Sequence, residues 1–168
     1  MRARVITCSN RAAAGEYEDN SGRVLVEGLA ALGFDVADSV VVPDGPPVEA
    51  ALRRAIADGF DLVLTSGGTG LSPTDHTPEM TRVVLEREVP GLGEAIRAYG
   101  VANGIPAAAL SRGIAGTAGR TLVVNVPGSP GAARDALVVL GPVLRHAVDQ
   151  MRGGDHDREA DHQAGGDH

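Results

Sequence analysis

The first sixty-five residues alternate short β-rich runs with stretches of helical spacing, and that alternation limits the chain to few architectures. Arg4 to Thr7 reads as a short buried strand, followed by a polar loop from Ser9-Asn10-Arg11 through Gly15 to Asp19. Leu25, Leu29 and Leu32 recur at helical spacing, with Gly33 as the helix C-cap. Phe34 to Val42 is β-rich and ends at Pro43-Asp44-Gly45-Pro46-Pro47. Val48, Leu52, Ala55 and Ile56 form a second helix face stopped by Gly59, and Asp61 to Thr65 is a third strand. Strand, helix, strand, helix, strand predicts an α/β domain whose sheet is parallel and whose helices are crossovers.

Ser66-Gly67-Gly68-Thr69-Gly70-Leu71-Ser72-Pro73-Thr74-Asp75 follows the third strand. Pro78 suits the first turn of a helix carrying Met80, Val83 and Val84. Val89-Pro90-Gly91 breaks it, and a helix with Leu92, Ile96 and Tyr99 on one face runs to Asn103-Gly104. Ala108 to Ala118 is ambiguous; part of it reads as a strand turning at Gly119 into Thr121–Val126. Pro127-Gly128-Ser129-Pro130 opens a last helix with Leu137, Leu140, Leu144, Val148 and Met151 apolar, and Pro142 inside it predicts a kink.

Composition excludes several functions. The 168 residues suffice for one α/β domain with a substantial core. Aromatics are only 2%, so Val, Leu, Ile and Ala must build that core. All 15 basic residues are Arg, which removes a Walker-type phosphate loop, a Schiff-base lysine and a lysine nucleophile. A net charge of -7 with so few aromatics argues against a nucleic-acid partner. The single cysteine, Cys8, excludes an internal disulfide and a Cys-based zinc cluster, and reads as a buried small hydrophobe. No apolar stretch is long enough for a membrane span, and no secretory segment precedes the first strand. The expectation is a cytoplasmic protein with no membrane partner. Residues 1–152 read as the domain and 153–168 as a disordered tail, which carries -4 of the charge, three of the five histidines and Gly-Gly-Asp-His twice. A metal role for that tail is the lesser reading, because no fold holds the ligands.

In an open parallel sheet, ligands bind outside the carboxyl ends of the strands. The loops leaving those ends carry Ser9, Asn10 and Arg11; Asp44; Gly67–Gly70 with Asp75; and Pro127-Gly128-Ser129. The glycine loop lets backbone N–H groups approach phosphate oxygens, though alone it is also a structural turn. Pro73 stands where a dinucleotide fingerprint needs its third glycine. Asp44 and Asp75 suit helix caps and turns as well as metal binding. Convergence beside a phosphate loop favours Mg²⁺, which one or two carboxylates hold together with substrate phosphates. Without Lys, the neutralising groups must be Mg²⁺, backbone amides and Arg, with Arg11 and Arg112 as candidates. Ser9, Thr69, Ser72, Ser111 and Ser129 lack a nucleophile elbow, and His76 and His146 read as turn and helix-surface residues.

The run Thr65-Ser66-Gly67-Gly68-Thr69-Gly70, with Pro73-Thr74-Asp75 and Thr77-Pro78-Glu79, resembles the molybdopterin-binding domain family. Ser9-Asn10-Arg11 with Gly15-Glu16-Tyr17-Glu18-Asp19, Pro43-Asp44-Gly45, Pro90-Gly91, Leu110-Ser111-Arg112 and Asn125-Val126-Pro127-Gly128-Ser129-Pro130 resemble its bacterial molybdopterin adenylyltransferase branch. The resemblance covers residues 4 to 152. It implies a three-layer αβα domain with a mostly parallel sheet, assembled as a homotrimer. It implies Mg²⁺-dependent transfer of AMP from ATP to the terminal phosphate of molybdopterin, with the product passing to a molybdenum-insertion enzyme. Asp44 and Asp75 are then the catalytic and metal-holding residues. Ser9, Arg11, Ser66, Gly67, Gly68, Thr69, Gly70, Ser111, Arg112, Pro127, Gly128 and Ser129 bind substrate and nucleotide. The first loop departs from the family pattern: Asn10 stands where many relatives have Asp, an amide in place of a carboxylate.

Such a reaction suits these residues, because a phosphate monoester is already anionic and needs alignment and charge neutralisation rather than a strong base. The competing readings are a non-catalytic molybdopterin carrier, the longer insertion enzyme, and a competence-damage-type nucleotide hydrolase.

Overall fold

A computed structural model of the chain describes residues 1–154; the expected acidic tail lies almost wholly outside them. The elements are β1 (Arg2–Cys8), α1 (Asn10–Ala13), α2 (Asn20–Ala31), β2 (Asp35–Val36), β3 (Val40–Val42), α3 (Pro46–Ala57), β4 (Leu62–Ser66), α4 (Thr77–Arg82), β5 (Arg87–Glu88), α5 (Pro90–Ala102), a 3-10 helix (Pro106–Leu110), β6 (Ala115–Ala118), β7 (Thr121–Val126) and α6 (Pro130–Met151). The sheet order is β2-β1-β4-β7-β6-β5, with β3 also on β1. β1, β2, β3, β4 and β7 run parallel; β5 and β6 are antiparallel additions at one edge. The domain is α/β with a mostly parallel sheet.

The pleat sends alternate residues to opposite layers. Ala3, Val5, Leu62, Leu64, Leu122 and Val124 pack with Leu25 and Leu29 of α2, Ile96 of α5, and Leu140 and Leu144 of α6. Ile6, Cys8, Val63 and Val123 pack with Val48, Leu52 and Ala55 of α3 and with Val84 after α4. Every residue of β4 and β7 is buried, as central strands covered on both faces require. Each fully buried Leu contributes about 1.5–3 kcal/mol, so the aliphatic core compensates for the scarcity of aromatic rings.

Several elements differ from the sequence expectation. The Phe34–Val42 run is two short strands, both paired with β1, separated by Ala37 to Ser39. The Ala37 N–H still donates to the Ala3 carbonyl at 3.0 Å, so the edge ladder is interrupted rather than ended. The helix after Pro78 stops at Arg82; Val84 is buried beyond it, while Val83 is exposed. The ambiguous stretch holds the 3-10 helix and then β6, which turns at Gly119-Arg120 into β7. β5 was not anticipated, since both its residues are exposed and charged. α6 is assigned as one helix through Pro142. Pro142 and Val138 are both exposed, which puts the carbonyl that loses its N–H partner on the solvent side.

Candidate functional site

Because β1, β3, β4 and β7 are parallel, their carboxyl ends open onto one edge, where the following loops enclose a cavity of about 670 Å³. Ser9, Arg11, Asp44, Ser66, Gly67, Gly68, Thr69, Gly70, Asp75, Ser111, Pro127, Gly128 and Ser129 all line it. Of the residues expected to bind, Arg112 alone does not.

The glycine loop is shaped by close backbone approach. Gly67 and Gly68 have φ of 97° and 66°, a region L side chains rarely enter. A Cβ on Gly67 would sit 2.5 Å from the Cys8 carbonyl, and one on Gly128 would sit 3.0 Å from the Gly67 Cα. The ends of β1, β4 and β7 thus meet backbone to backbone. The Gly67 N–H donates to the Val126 carbonyl at 2.9 Å. Those of Gly68, Thr69 and Gly70 find no acceptor among the described residues and are available to an anion.

Each aspartate sits against one of these glycines. A Cβ on Gly68 would run into the Asp44 carboxylate, and one on Gly70 would lie 2.8 Å from Asp75 Oδ2. Asp44 accepts from the N–H groups of Gly45 (2.6 Å) and His76 (3.2 Å) and from Thr77 Oγ1 (3.4 Å), so it holds the start of α4. Asp75 Oδ2 accepts from the Ser72 N–H at 3.0 Å, closing a turn, while its Oδ1 has no partner among the described residues. Asp44 thus ties down the start of α4 and Asp75 closes a turn, and both line the cavity. Asn10 Oδ1 accepts from the Asp44 N–H at 3.0 Å. An amide oxygen serves there as well as a carboxylate, which accounts for the departure in the first loop.

The hydroxyls are mostly structural. Ser9 and Ser129 cap α1 and α6 through Ala12 N–H and Ala132 N–H, and Ser9 Oγ also meets the Tyr17 hydroxyl at 2.7 Å. Ser66 Oγ donates to Ser21 Oγ at 2.9 Å, and Ser111 Oγ to Thr69 Oγ1 at 3.4 Å. Arg11 pairs with Glu16 at 3.0 Å and lies over the Tyr17 ring, on the exposed rim. Cys8 lines the floor. Burial foremost, with the nearby charges of Asp44 and Asp19, pushes its thiol up to about 12 despite a hydrogen bond with Thr77. It is protonated and unreactive at neutral pH. His76 is exposed at the start of α4, with no side-chain cap bond, and His146 is exposed on α6.

Two parts of the site escaped the sequence reading. Asp19 lines the cavity, accepting from Thr7 Oγ1 at 2.6 Å and from the Gly22 N–H at 2.9 Å. It closes the first polar loop and the segment that carries the resemblance, but as an N-cap before the Leu25 helix it reads as structural. The opposite wall is apolar: Ile96 and Gly100 of α5, with Ile105, Ala107, Ala108 and Leu110 from the 3-10 helix and its start. Helical spacing marks Ile96, but the 3-10 helix is too short to carry a period.

Arg112 is engaged elsewhere through every guanidinium nitrogen. Its N–H donates to the Thr69 carbonyl (2.8 Å), Nε to the Gly70 carbonyl (2.8 Å) and Nη2 to the Asp75 carbonyl (2.9 Å), while Nη1 pairs with Glu79. That guanidinium foremost, against partial burial, holds the Glu79 carboxyl below its usual range.

Among the described residues, no group of three or more His, Cys, Asp or Glu is placed to hold a metal by itself, and no helix is long and apolar enough to cross a membrane. A cavity with oxygen donors and free amides suits a ligand that brings its own anionic oxygens.

Comparison with known proteins identifies the family. The family model described as a probable molybdopterin binding domain matches residues 4–146. A molybdopterin adenylyltransferase of Helicobacter pylori is 34% identical over 154 residues, covering 89% of this chain and 86% of that protein. A molybdenum cofactor biosynthesis bifunctional protein of Chlorobaculum tepidum is 37% identical over 156 residues; there the chain spans 50% of the relative's length. The solved molybdopterin biosynthesis Mog protein of Mycobacterium ulcerans is 51% identical, with a TM-score of 0.86, covering 89% of this chain and 98% of that one. With the fold and the matched span in agreement, the chain belongs to the probable molybdopterin-binding domain family.

Proposed function

We propose that this protein transfers AMP from ATP to the terminal phosphate of molybdopterin, releasing pyrophosphate. The observation that carries the reading is the set of three uncommitted amides, Gly68 to Gly70, beside Asp44 and Asp75 in one cavity. The similarity to an adenylyltransferase over 86% of that protein's length supports it.

In this reaction a terminal phosphate oxygen of molybdopterin forms a bond to the α-phosphorus of ATP. The bond from that phosphorus to the oxygen bridging toward the β-phosphate breaks, and its electrons leave with pyrophosphate. The nucleophile is anionic at neutral pH, so no side chain must remove a proton. The chain's task is to align two anions and offset their charge. The loop amides serve the phosphates. Ser9, Ser111, Pro127, Gly128 and Ser129 shape the walls around the reacting groups, and Arg11 stands at the rim.

Mg²⁺ brought with ATP supplies Lewis-acid neutralisation of the phosphate oxygens. Asp75 fits that ion because its Oδ1 is uncommitted; Asp44 adds negative charge while its hydrogen bonds hold α4. The apolar wall of Ile96, Ile105 and Leu110 suits the flat ring of a substrate. The proposal includes a cytoplasmic homotrimer that hands adenylylated molybdopterin to a molybdenum-insertion enzyme.

The test is anaerobic turnover with Mg-ATP and molybdopterin, quantifying the adenylylated pterin, with Asp75→Asn alongside. Product from the wild type and hardly any from a folded variant is expected. Tight pterin binding without product in the wild type would replace this reading with that of a carrier.

A further inference from the structure

We infer that Arg112 is a positioning residue, the latch that fixes the glycine loop and Asp75 in their working places rather than a contact to substrate; this rests on the adenylyl-transfer reading of the site. Arg112 joins three separate segments. Its backbone and side chain hold the carbonyls of Thr69 and Gly70 in the loop, the carbonyl of Asp75, and the carboxylate of Glu79 on α4. A guanidinium suits this task because its donors diverge in a fixed plane, whereas a lysine presents one point charge.

Arg112 is itself gripped from behind. Arg97 of α5 donates to the carbonyls on either side of it, Ser111 at 3.2 Å and Gly113 at 2.8 Å. A Cβ on Gly93 would come within 2.8 Å of that Gly113 carbonyl, so the neighbouring turn of α5 is kept bare for this approach. The chain from α5 through Arg97 and Arg112 to Gly70 and Asp75 ties the apolar wall to the phosphate loop. Both ends of the cavity share one brace. Pulling carbonyls toward Arg112 leaves the N–H groups of Gly68, Thr69 and Gly70 for the cavity, where they have no acceptor among the described residues.

The experiment compares Arg112→Ala, Arg112→Lys and Glu79→Gln with wild type in the full chain. It uses two readouts: hydrogen exchange of the hydrogen-bonded amides of Ser72, Asp75 and Thr77, and kcat and KM for Mg-ATP. Arg112→Ala is expected to speed exchange at those amides by about tenfold or more and leave β4 and β7 unchanged. Its kcat falls by about 10–100-fold, as a displacement near 1 Å would cause, while KM moves less than about threefold. Arg112→Lys, which keeps the charge and stem, fails to restore either readout. Glu79→Gln, on the exposed arm of the latch, shows a smaller change in the same direction. A raised KM with unchanged kcat and unchanged exchange would mean that Arg112 touches substrate, and would overturn the proposal. If Arg112→Ala does not fold, the other two variants carry the same comparison. A wild type without turnover would remove the adenylyl-transfer reading, while the exchange arm would still decide the latch.

Discussion

Asn125, in β7, concentrates more structural consequence in one side chain than any residue of the cavity wall. It is 1% exposed. Its Nδ2 donates to Thr65 Oγ1 on β4 and to Thr81 Oγ1 on α4, both at 2.9 Å, and its Oδ1 accepts from the Ile114 N–H at 3.1 Å. Thr81 Oγ1 passes its own proton to the Thr77 carbonyl at 2.8 Å. One amide thus joins the central strand that feeds the glycine loop, the helix whose start Asp44 ties down, and the approach to β6. Asn125→Ala orphans the Ile114 N–H at about 1–3 kcal/mol and removes two further bonds worth about 0.5–1.5 kcal/mol each. The void left behind adds to this. The expected loss is about 3–5 kcal/mol, a large share of the about 5–15 kcal/mol that stabilises a domain. Urea unfolding reads it as a midpoint lower by about 1–5 M, at a slope of about 1–3 kcal/mol/M. Asn125→Asp keeps the acceptor for Ile114 but puts an oxygen where the donors were. Thr81 has no second proton to offer, so burial raises that carboxyl. Its stability then falls as pH rises past the unfolded value of about 3.9. A loss below about 1 kcal/mol for Asn125→Ala, or pH-independent stability for Asn125→Asp, would refute the reasoning.

Gly67→Ala must place a methyl at φ 97° against the Cys8 carbonyl. The conformation alone costs about 1–2 kcal/mol, so Tm should drop by about 2–8 °C and turnover should collapse; a wild-type Tm would refute the close approach. At Asp61, burial works upward but the Arg2 N–H and the Arg152 guanidinium outweigh it, leaving the carboxyl below its ordinary value. That stabilisation is complete above the unfolded value of about 3.9 and is lost as pH falls through the folded one. The urea midpoints of wild type and Asp61→Asn should therefore converge below about pH 4, and a constant gap would argue against the pair. Cys8, with its thiol near 12 and 2% exposed, should resist iodoacetamide at pH 8 in the native protein and react in urea; rapid native labelling would show that the floor of the cavity opens.

What the sequence by itself determined is local. Alternating periods separate strands from helices because burial on one face or two imposes those periods. Crossover connections force the strands parallel, so loops after β1, β3, β4 and β7 must share an edge. That connectivity alone brings Asp44, Asp75, the glycine loop and Ser129 to one edge. Short or charged pieces carry no such period, so β5 and the 3-10 wall were invisible and the first edge strand looked continuous. Side-chain direction was equally out of reach. Only the tertiary structure decided that Asn10 serves Asp44, that Asp19 enters the cavity, and that Arg112 turns to Gly70, Asp75 and Glu79 instead of the ligand space. A guanidinium goes where several acceptors converge, and those carbonyls come from segments more than thirty residues away along the chain.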